Sequence, residues 1–288
     1  MDLQLEDINE SILIPLVIRA NETKRQKARV RDRKALDIVE SLDIDTKKLD
    51  RAVLHEYLIT RTVLFDRAVK EAIGREPQAL CMNLRCGLDD RYVRVDNGWI
   101  QWFNLDSPEV IELRKKAFHE TKREKMRECD ILDPNWTDCV PKDLPVIIIA
   151  EDLLLHDSRE HLKAFLEQIT AAFRKGVLIA DLARRKNTPK EQQENADPSA
   201  VKKAWGFVNS GKDLALLDES NLMSFVKETT FSEQMKKNGL KSRICGILSG
   251  SLQNRVSVFE WKQPASRPEA EPGSTEESTN ESTTPTYD

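Results

Sequence analysis

The chain lacks the three glycines, in the order G-x-G-x-x-G, that let a backbone touch a pyrophosphate. It has 10 glycines in 288 residues. The one that matters most, Gly87 in the segment NLRCGLDD, stands almost alone, which excludes the usual dinucleotide-binding turn. Long apolar runs are missing as well: none approaches the ~20 residues of a membrane span. The beginning, MDLQLEDINE, is acidic and without the basic-then-apolar order of a secretory signal, so a cytoplasmic location and no membrane partner are expected. The 5 cysteines (Cys81, Cys86, Cys129, Cys139, Cys245) are odd in number and irregularly spaced, with no C-x-x-C or Cys/His cluster. They read as free thiols and give no metal site. Aromatic residues do not interleave with the most basic segment, Arg19 to Lys34. That segment reads as a solvated helix face, and no nucleic-acid partner is expected.

What is present describes one α/β unit with appendages. Hydrophobic content of 39% supports a core, while 33% charged residues and a mean hydropathy of -0.54 describe heavily solvated helices. Residues 1–75 show helical spacing in SILIPLVI, ALDIVESL and LITRTVLFDRAV and form a helical cap. Residues 76–262 alternate between strand and helix signals, interrupted at about 184–200 by the polar insertion RRKNTPKEQQENADPSA. Residues 263–288 form a disordered acidic Ser/Thr tail. Residues 264–288 carry six acids and one base, hence -5 of the net -4, so that the remainder is near neutral.

The most informative stretch reads strand, turn, strand, acid, helix. Ala79 to Leu84 is an apolar run ending in a turn at Gly87; Trp99 to Leu105 is β-rich and ends at Asp106, where a ribose-binding carboxylate belongs. Ser107, Pro108 and Glu109 then open a helix, expected to run to about Arg127. A nucleoside ligand without phosphates suits a turn with so few glycines, and S-adenosylmethionine is such a ligand. Farther on, Val146 to Ala150 and VLIADLA are apolar enough for strands buried on both faces. Glu151 follows the first of these, at the carboxyl end of a strand where open α/β sheets place ligands. KSRICGILSG and NRVSVFEW are expected to pair as a closing antiparallel hairpin, with strands near Ser242 to Leu248 and Arg255 to Trp261.

Several pieces, LIPLVIRA, RKALDIVESLDID, ITRTVLFD, NLRCGLDDRYVRVDNG, WFNLDSPEVIELR, the D-x-x-W of Asp133 to Trp136, IIIAEDLLLH and AWGFVNSGKDL, occur together in order between Ser11 and Trp261. In them the chain resembles the tetracenomycin-type polyketide O-methyltransferases of the leucine carboxyl methyltransferase superfamily. The resemblance implies a class I methyltransferase fold, Rossmann-like, with seven mostly parallel strands, and S-adenosylmethionine as cofactor. It implies that Arg61, helped by Lys34, holds the cofactor carboxylate and that the turn at Cys86-Gly87 lies along its amino-acid end. Asp106 would bind ribose, either Asp130 or Asp133 would face adenine, and Glu151 would stand where cofactor and acceptor meet. The chain departs from the family pattern at Arg85, where a glycine is usual, and at Glu151-Asp152 and His156, where Glu-Gly and a tyrosine are usual.

Other readings of these residues remain open at this stage. Arg61 on a helix also suits an ion pair with Asp66 or Glu56. His156 is the one histidine near the expected site and the candidate general base. Trp102, Phe103, Trp136 and Trp205 read as packing. The expected activity is transfer of a methyl group to a hydroxyl or carboxyl of a small molecule. The alternative, favoured by Arg85 and Asp152, is a methyltransferase-like fold that has lost catalysis and senses ligands or binds proteins.

Overall fold

Asn9 starts the first helix by accepting a hydrogen bond from the Ile12 N–H, so α1 runs Glu10–Thr23. The computed structural model describes residues 8–42, 44–154, 158–182 and 210–264. Asp32 and Asp45 cap α2 (Arg33–Ser41) and the short α3 (Thr46–Leu49) in the same way. α4 (Ala52–Arg75) completes the helical cap and turns Phe65, Val69, Ala72 and Ile73 towards the sheet.

The α/β part follows as β1 (Leu80–Leu84), α5 (Arg91–Val95), β2 (Gln101–Asp106), α6 (Pro108–Lys115) and β3 (Glu124–Glu128). β4 (Val146–Ala150), α7 (Arg159–Ala172) and β5 (Lys175–Leu182) come next, then α8 (Gly211–Ala215), β6 (Met223–Thr230), α9 (Phe231–Asn238), α10 (Leu240–Leu248) and β7 (Arg255–Lys262). The seven strands lie in the order β3-β2-β1-β4-β5-β7-β6. β1 to β5 pair in parallel, and β7 runs antiparallel to both β5 and β6. The expected α/β sheet and its antiparallel edge are both present.

Alternate residues of the central strands feed two cores, as strands covered on both faces require. Met82, Ile148 and Leu178 face α7, whereas Cys81, Ile147 and Ile179 face α4 and α9. Trp102, Phe103 and Trp136 are buried packing residues, Trp136 stacking on Phe165 at 5.7 Å. The five cysteines are free thiols.

Three expectations need correction. The partner of β7 is β6 (Met223–Thr230), while Ser242 to Leu248 is helical, part of α10. The helix after Asp106 stops at Lys115 rather than near Arg127, because Glu124 to Glu128 joins the sheet beside β2. Arg19 to Lys34 is not a uniformly solvated face: Arg19 is buried on Asp32 at 2.8 Å, and Arg29 bonds both Glu22 and Glu56. His156, Trp205, the insertion at 184–200 and the tail from 265 onward lie outside the described residues. Among the described residues no helix is long and apolar enough to cross a membrane.

Candidate functional site

β1 has β2 on one side and β4 on the other, so the chain reverses its winding direction there, and the crevice beyond the carboxyl ends of these strands is open. A cavity of about 350 Å³ occupies it, lined by the ends of β1, β2 and β4 and roofed by Ile12 and Pro15 of α1. A larger depression of about 660 Å³, between Arg29, Asp66, Lys70 and Arg94, takes no lining residue from a strand end.

The turn after β1 is built by two residues in left-handed conformation, Arg85 at φ 49° and Gly87 at φ 50°. An added Cβ at Gly87 would meet only Ile12 Cγ2 at 3.8 Å, so its conformation rather than crowding calls for glycine. The Gly87 N–H donates to Asp106 Oδ2 at 2.9 Å, and the Ser107 N–H donates to Oδ1 at 2.9 Å. Each carboxylate oxygen keeps acceptor capacity towards the cavity. Burial raises the Asp106 pKa, and the two N–H donors and nearby Arg85 and Arg114 only partly offset it.

At the end of β4, Glu151 is gripped from two sides. Arg61 Nε donates to its Oε1 at 2.8 Å, and Arg91 donates to Oε2. Arg61 also lies 3.2 Å from Asp152 Oδ2, so its partners are Glu151 and Asp152 rather than Asp66 or Glu56. Asp152 sits at φ 54°, and its side chain is 49% exposed. Both positions where a family glycine was expected, Arg85 and Asp152, therefore keep the left-handed backbone that glycine favours, at a strain of ~1–2 kcal/mol each.

Behind this pair stands a carboxylate that the sequence reading passed over. Asp181, buried in β5, accepts the Asp152 N–H at 2.8 Å. Burial first, then the neighbouring Asp152 and Glu151 charges, push its pKa up to about 7 against the opposing pull of Arg61. An acid inside the otherwise apolar run VLIADLA was the available signal. The ion pairs continue through Arg91, Asp89 and Arg19, which also line the cavity, to residues outside it: Arg91 to Asp66 at 2.8 Å, Arg94 to Asp66 at 2.7 Å and to Asp89 at 3.0 Å, and Arg19 to Asp32. Burial opposes the charge on Asp89, but Arg94, Arg91 and Arg19 outweigh it and hold the carboxyl far below its ordinary range.

Of the residues expected from sequence, Arg61, Arg85, Cys86, Gly87, Asp106 and Glu151 line one cavity. Lys34, Asp130 and Asp133 do not. Lys34 lies 5.4 Å over the Phe118 ring, and Asp130 and Asp133 are exposed, accepting the turn N–H groups of Leu132 and Asn135. Burial raises the Cys86 thiol pKa to about 12, which keeps it protonated and unreactive.

The sequence model of leucine carboxyl methyltransferases matches residues 12–179. The chain belongs to this family. It is 28% identical over 153 residues to the tetracenomycin polyketide synthesis O-methyltransferase TcmP of Streptomyces glaucescens, covering 52% of this chain and 57% of that one. It is 27% identical over 188 residues to an S-adenosyl-L-methionine-dependent methyltransferase of Gibberella zeae, covering 59% and 63%. The chain thus spans about three fifths of the length of the curated relatives it matches. Among solved structures, a Thermobifida fusca protein described as a candidate methyltransferase superposes with a TM-score of 0.55 at 12% identity, covering 88% of this chain and 94% of that one. A DUF574-family protein from Streptomyces avermitilis gives 0.53 at 12% identity, over 86% and 97%. These two likenesses establish the shared fold.

Proposed function

We propose that this family member is an S-adenosylmethionine-dependent O-methyltransferase acting on a hydroxyl or carboxyl of a small molecule. One observation carries the reading: Asp106 ends β2 at the switch-point cavity, tied to the Gly87 N–H with acceptor capacity to spare. A ribose diol suits that carboxylate, and the lining acids (Asp89, Asp106, Glu151, Asp152) and arginines (Arg19, Arg61, Arg85, Arg91) suit a ligand bearing both signs of charge. The volume lies within the range of small-molecule sites.

When bound, the cofactor supplies an electrophilic methyl carbon on a sulfonium, so that an O–C bond forms as the S–C bond breaks. The protein's share is positioning and exclusion of water. Asp106 fixes the ribose, Arg61 and the Cys86-Gly87 turn hold the amino-acid end, α1 closes the roof, and Glu151 stands where cofactor and acceptor meet. His156, just beyond the described residues after β4, remains the proposed acceptor of a hydroxyl proton; a carboxylate acceptor needs none. Calorimetric titration with S-adenosylmethionine tests the reading. Saturable binding that the Asp106→Ala variant weakens supports it, and no heat at millimolar cofactor rejects it.

The second reading, a fold that binds partners without catalysis, draws support from the Arg61 ion pairs. Both acidic neighbours of Arg61 belong to the chain, and an incoming carboxylate has to displace Asp152 to reach it. A methyl-transfer assay over extracted metabolites separates the readings: binding without any labelled product favours the second.

A further inference from the structure

The helix α10 is built inside out. Its small residues Ser242, Cys245 and Gly246 face the protein, whereas its large apolar residues face solvent: Leu240 is 74% exposed, Ile244 47%, Ile247 61% and Leu248 70%. At ~100° per residue these four fall on one continuous stripe about 100° wide. Lys241 borders the stripe on one edge and Arg243 on the other. Gly246 makes the arrangement possible: a Cβ there would come within 2.4 Å of Met235 Sδ and 2.6 Å of Leu252 Cδ2, so only glycine allows α10 to press this face so closely against α9.

The charge along this stretch of the sequence has one sign. Between Glu233 and Glu260 there is no acid, although the chain's average would place about four, and there are five bases. One of them, Arg255, pairs with Glu228. The other four, Lys236, Lys237, Lys241 and Arg243, are exposed and form no ion pair among the described residues, in a chain whose net charge is -4. An apolar stripe edged by unpaired bases has the composition of a helix that lies in the headgroup layer of a bilayer, where lysine and arginine stems extend to anionic phosphates. A second copy fits less well. Four side chains on a nine-residue helix fall short of the ~800 Å² per partner of a stable dimer, and a symmetric contact would oppose like charges.

We propose that α10 is a docking surface for an anionic lipid bilayer, with Leu240, Ile244, Ile247 and Leu248 entering the interface and Lys236, Lys237, Lys241 and Arg243 meeting the headgroups. A helix lying flat needs no spanning segment, and among the described residues there is none.

The test is sedimentation of the full chain with phosphatidylcholine vesicles, with and without about a third of phosphatidylglycerol. The parent should pellet with the anionic vesicles and remain largely in the supernatant with phosphatidylcholine alone. Lys241→Glu with Arg243→Glu should lower partitioning at least tenfold, since each charge near an anionic surface accounts for about a fivefold change. Ile247→Ser with Leu248→Ser should do the same without a change in melting temperature, and Lys47→Glu with Lys48→Glu, on α3, should have no effect. Failure to pellet with either vesicle overturns the proposal, as does pelleting that the α10 variants leave unchanged. A concentration-dependent dimer dispersed by Ile247→Ser assigns the stripe to a second copy instead, and capture of an acidic protein without vesicle binding assigns it to that protein.

Discussion

Asp181 is the residue whose protonation sets a pH dependence of the fold. Its folded value of about 7 lies above the ordinary carboxyl value of 3.8, so the folded chain holds this proton more tightly than the unfolded one. The stabilisation from this group is complete below about pH 4 and is lost as the pH rises through about 7. Asp181→Asn keeps an oxygen to accept the Asp152 N–H and has no charge to bury. Relative to the variant, the parent should lose on the order of a few kcal/mol between pH 5 and pH 8, measured by urea unfolding across pH. Asp106→Ala belongs to the same scale and should weaken S-adenosylmethionine binding by about 1 to 3 kcal/mol, read by calorimetry. Asp152→Gly removes one of the two acidic partners of Arg61, leaving Glu151, together with the left-handed strain. It should tighten binding about tenfold, or about 1.4 kcal/mol. Its effect on stability should stay within about 1 kcal/mol, because strain relief is offset by the larger freedom of glycine in the unfolded chain. Arg85→Gly relieves similar strain, but Arg85 is exposed and forms no ion pair among the described residues. Arg85 presents a positive charge to a cofactor that carries a sulfonium and an ammonium group; if Arg85→Gly binds S-adenosylmethionine no more tightly than the parent, that charge is not a reason for loss of function.

Gly176 and Gly246 matter to their elements for the opposite reason from Gly87: they need room, not torsional freedom. Gly176, the second residue of β5, lies under the Trp261 ring, where a Cβ would lie 2.3 Å from two ring carbons and 2.7 Å from Val146 Cγ2. Gly176→Ala should cost about 1–3 kcal/mol by overpacking, visible as a lowered urea midpoint at unchanged slope. The elements also show where sequence reading succeeds. β1, β2 and β4 announce themselves as apolar runs ending in a turn or an acid, β5 by its apolar run alone, and Asp106 and Glu151 are found because each sits directly at such an end. β6 (MSFVKETT) is an edge strand with a half-exposed surface, so no apolar run marks it. KSRICGILSG, with apolar residues packed closely and glycine at its end, imitates a buried strand; the imitation arises because α10 displays the residues a helix normally hides. Lys34, Asp130 and Asp133 came from the resemblance alone, and none reaches the cavity.

Across the whole molecule, the cap and the sheet are joined by a buried chain of charges that no local pattern reveals, since its members come from α1, the cap of α2, α4, the turn after β1, α5 and the segment after β4. Asp66 is the centre of it, accepting from Arg91 and Arg94, and those two arginines hold its carboxyl below the ordinary range even though burial acts first in the other direction. Asp66→Ala leaves two buried guanidinium groups short of a partner and should destabilise by about 3–5 kcal/mol, measured by chemical unfolding. Asp66→Asn, keeping one acceptor, should recover part of that loss.

The strand order carries one further consequence, for synthesis of the chain. β7 is the last strand in sequence, yet it lies between β5 and β6. A polypeptide leaving the ribosome can assemble β1 to β5 early, but β5 then shows an open hydrogen-bonding edge, and β6, whose sheet neighbour is β7, has nothing to pair with. Both needs are met only when Arg255–Lys262 arrives. Until that segment emerges, the nascent protein carries an unshielded parallel sheet, so a translational pause or a premature stop between β6 and β7 exposes a template for aggregation.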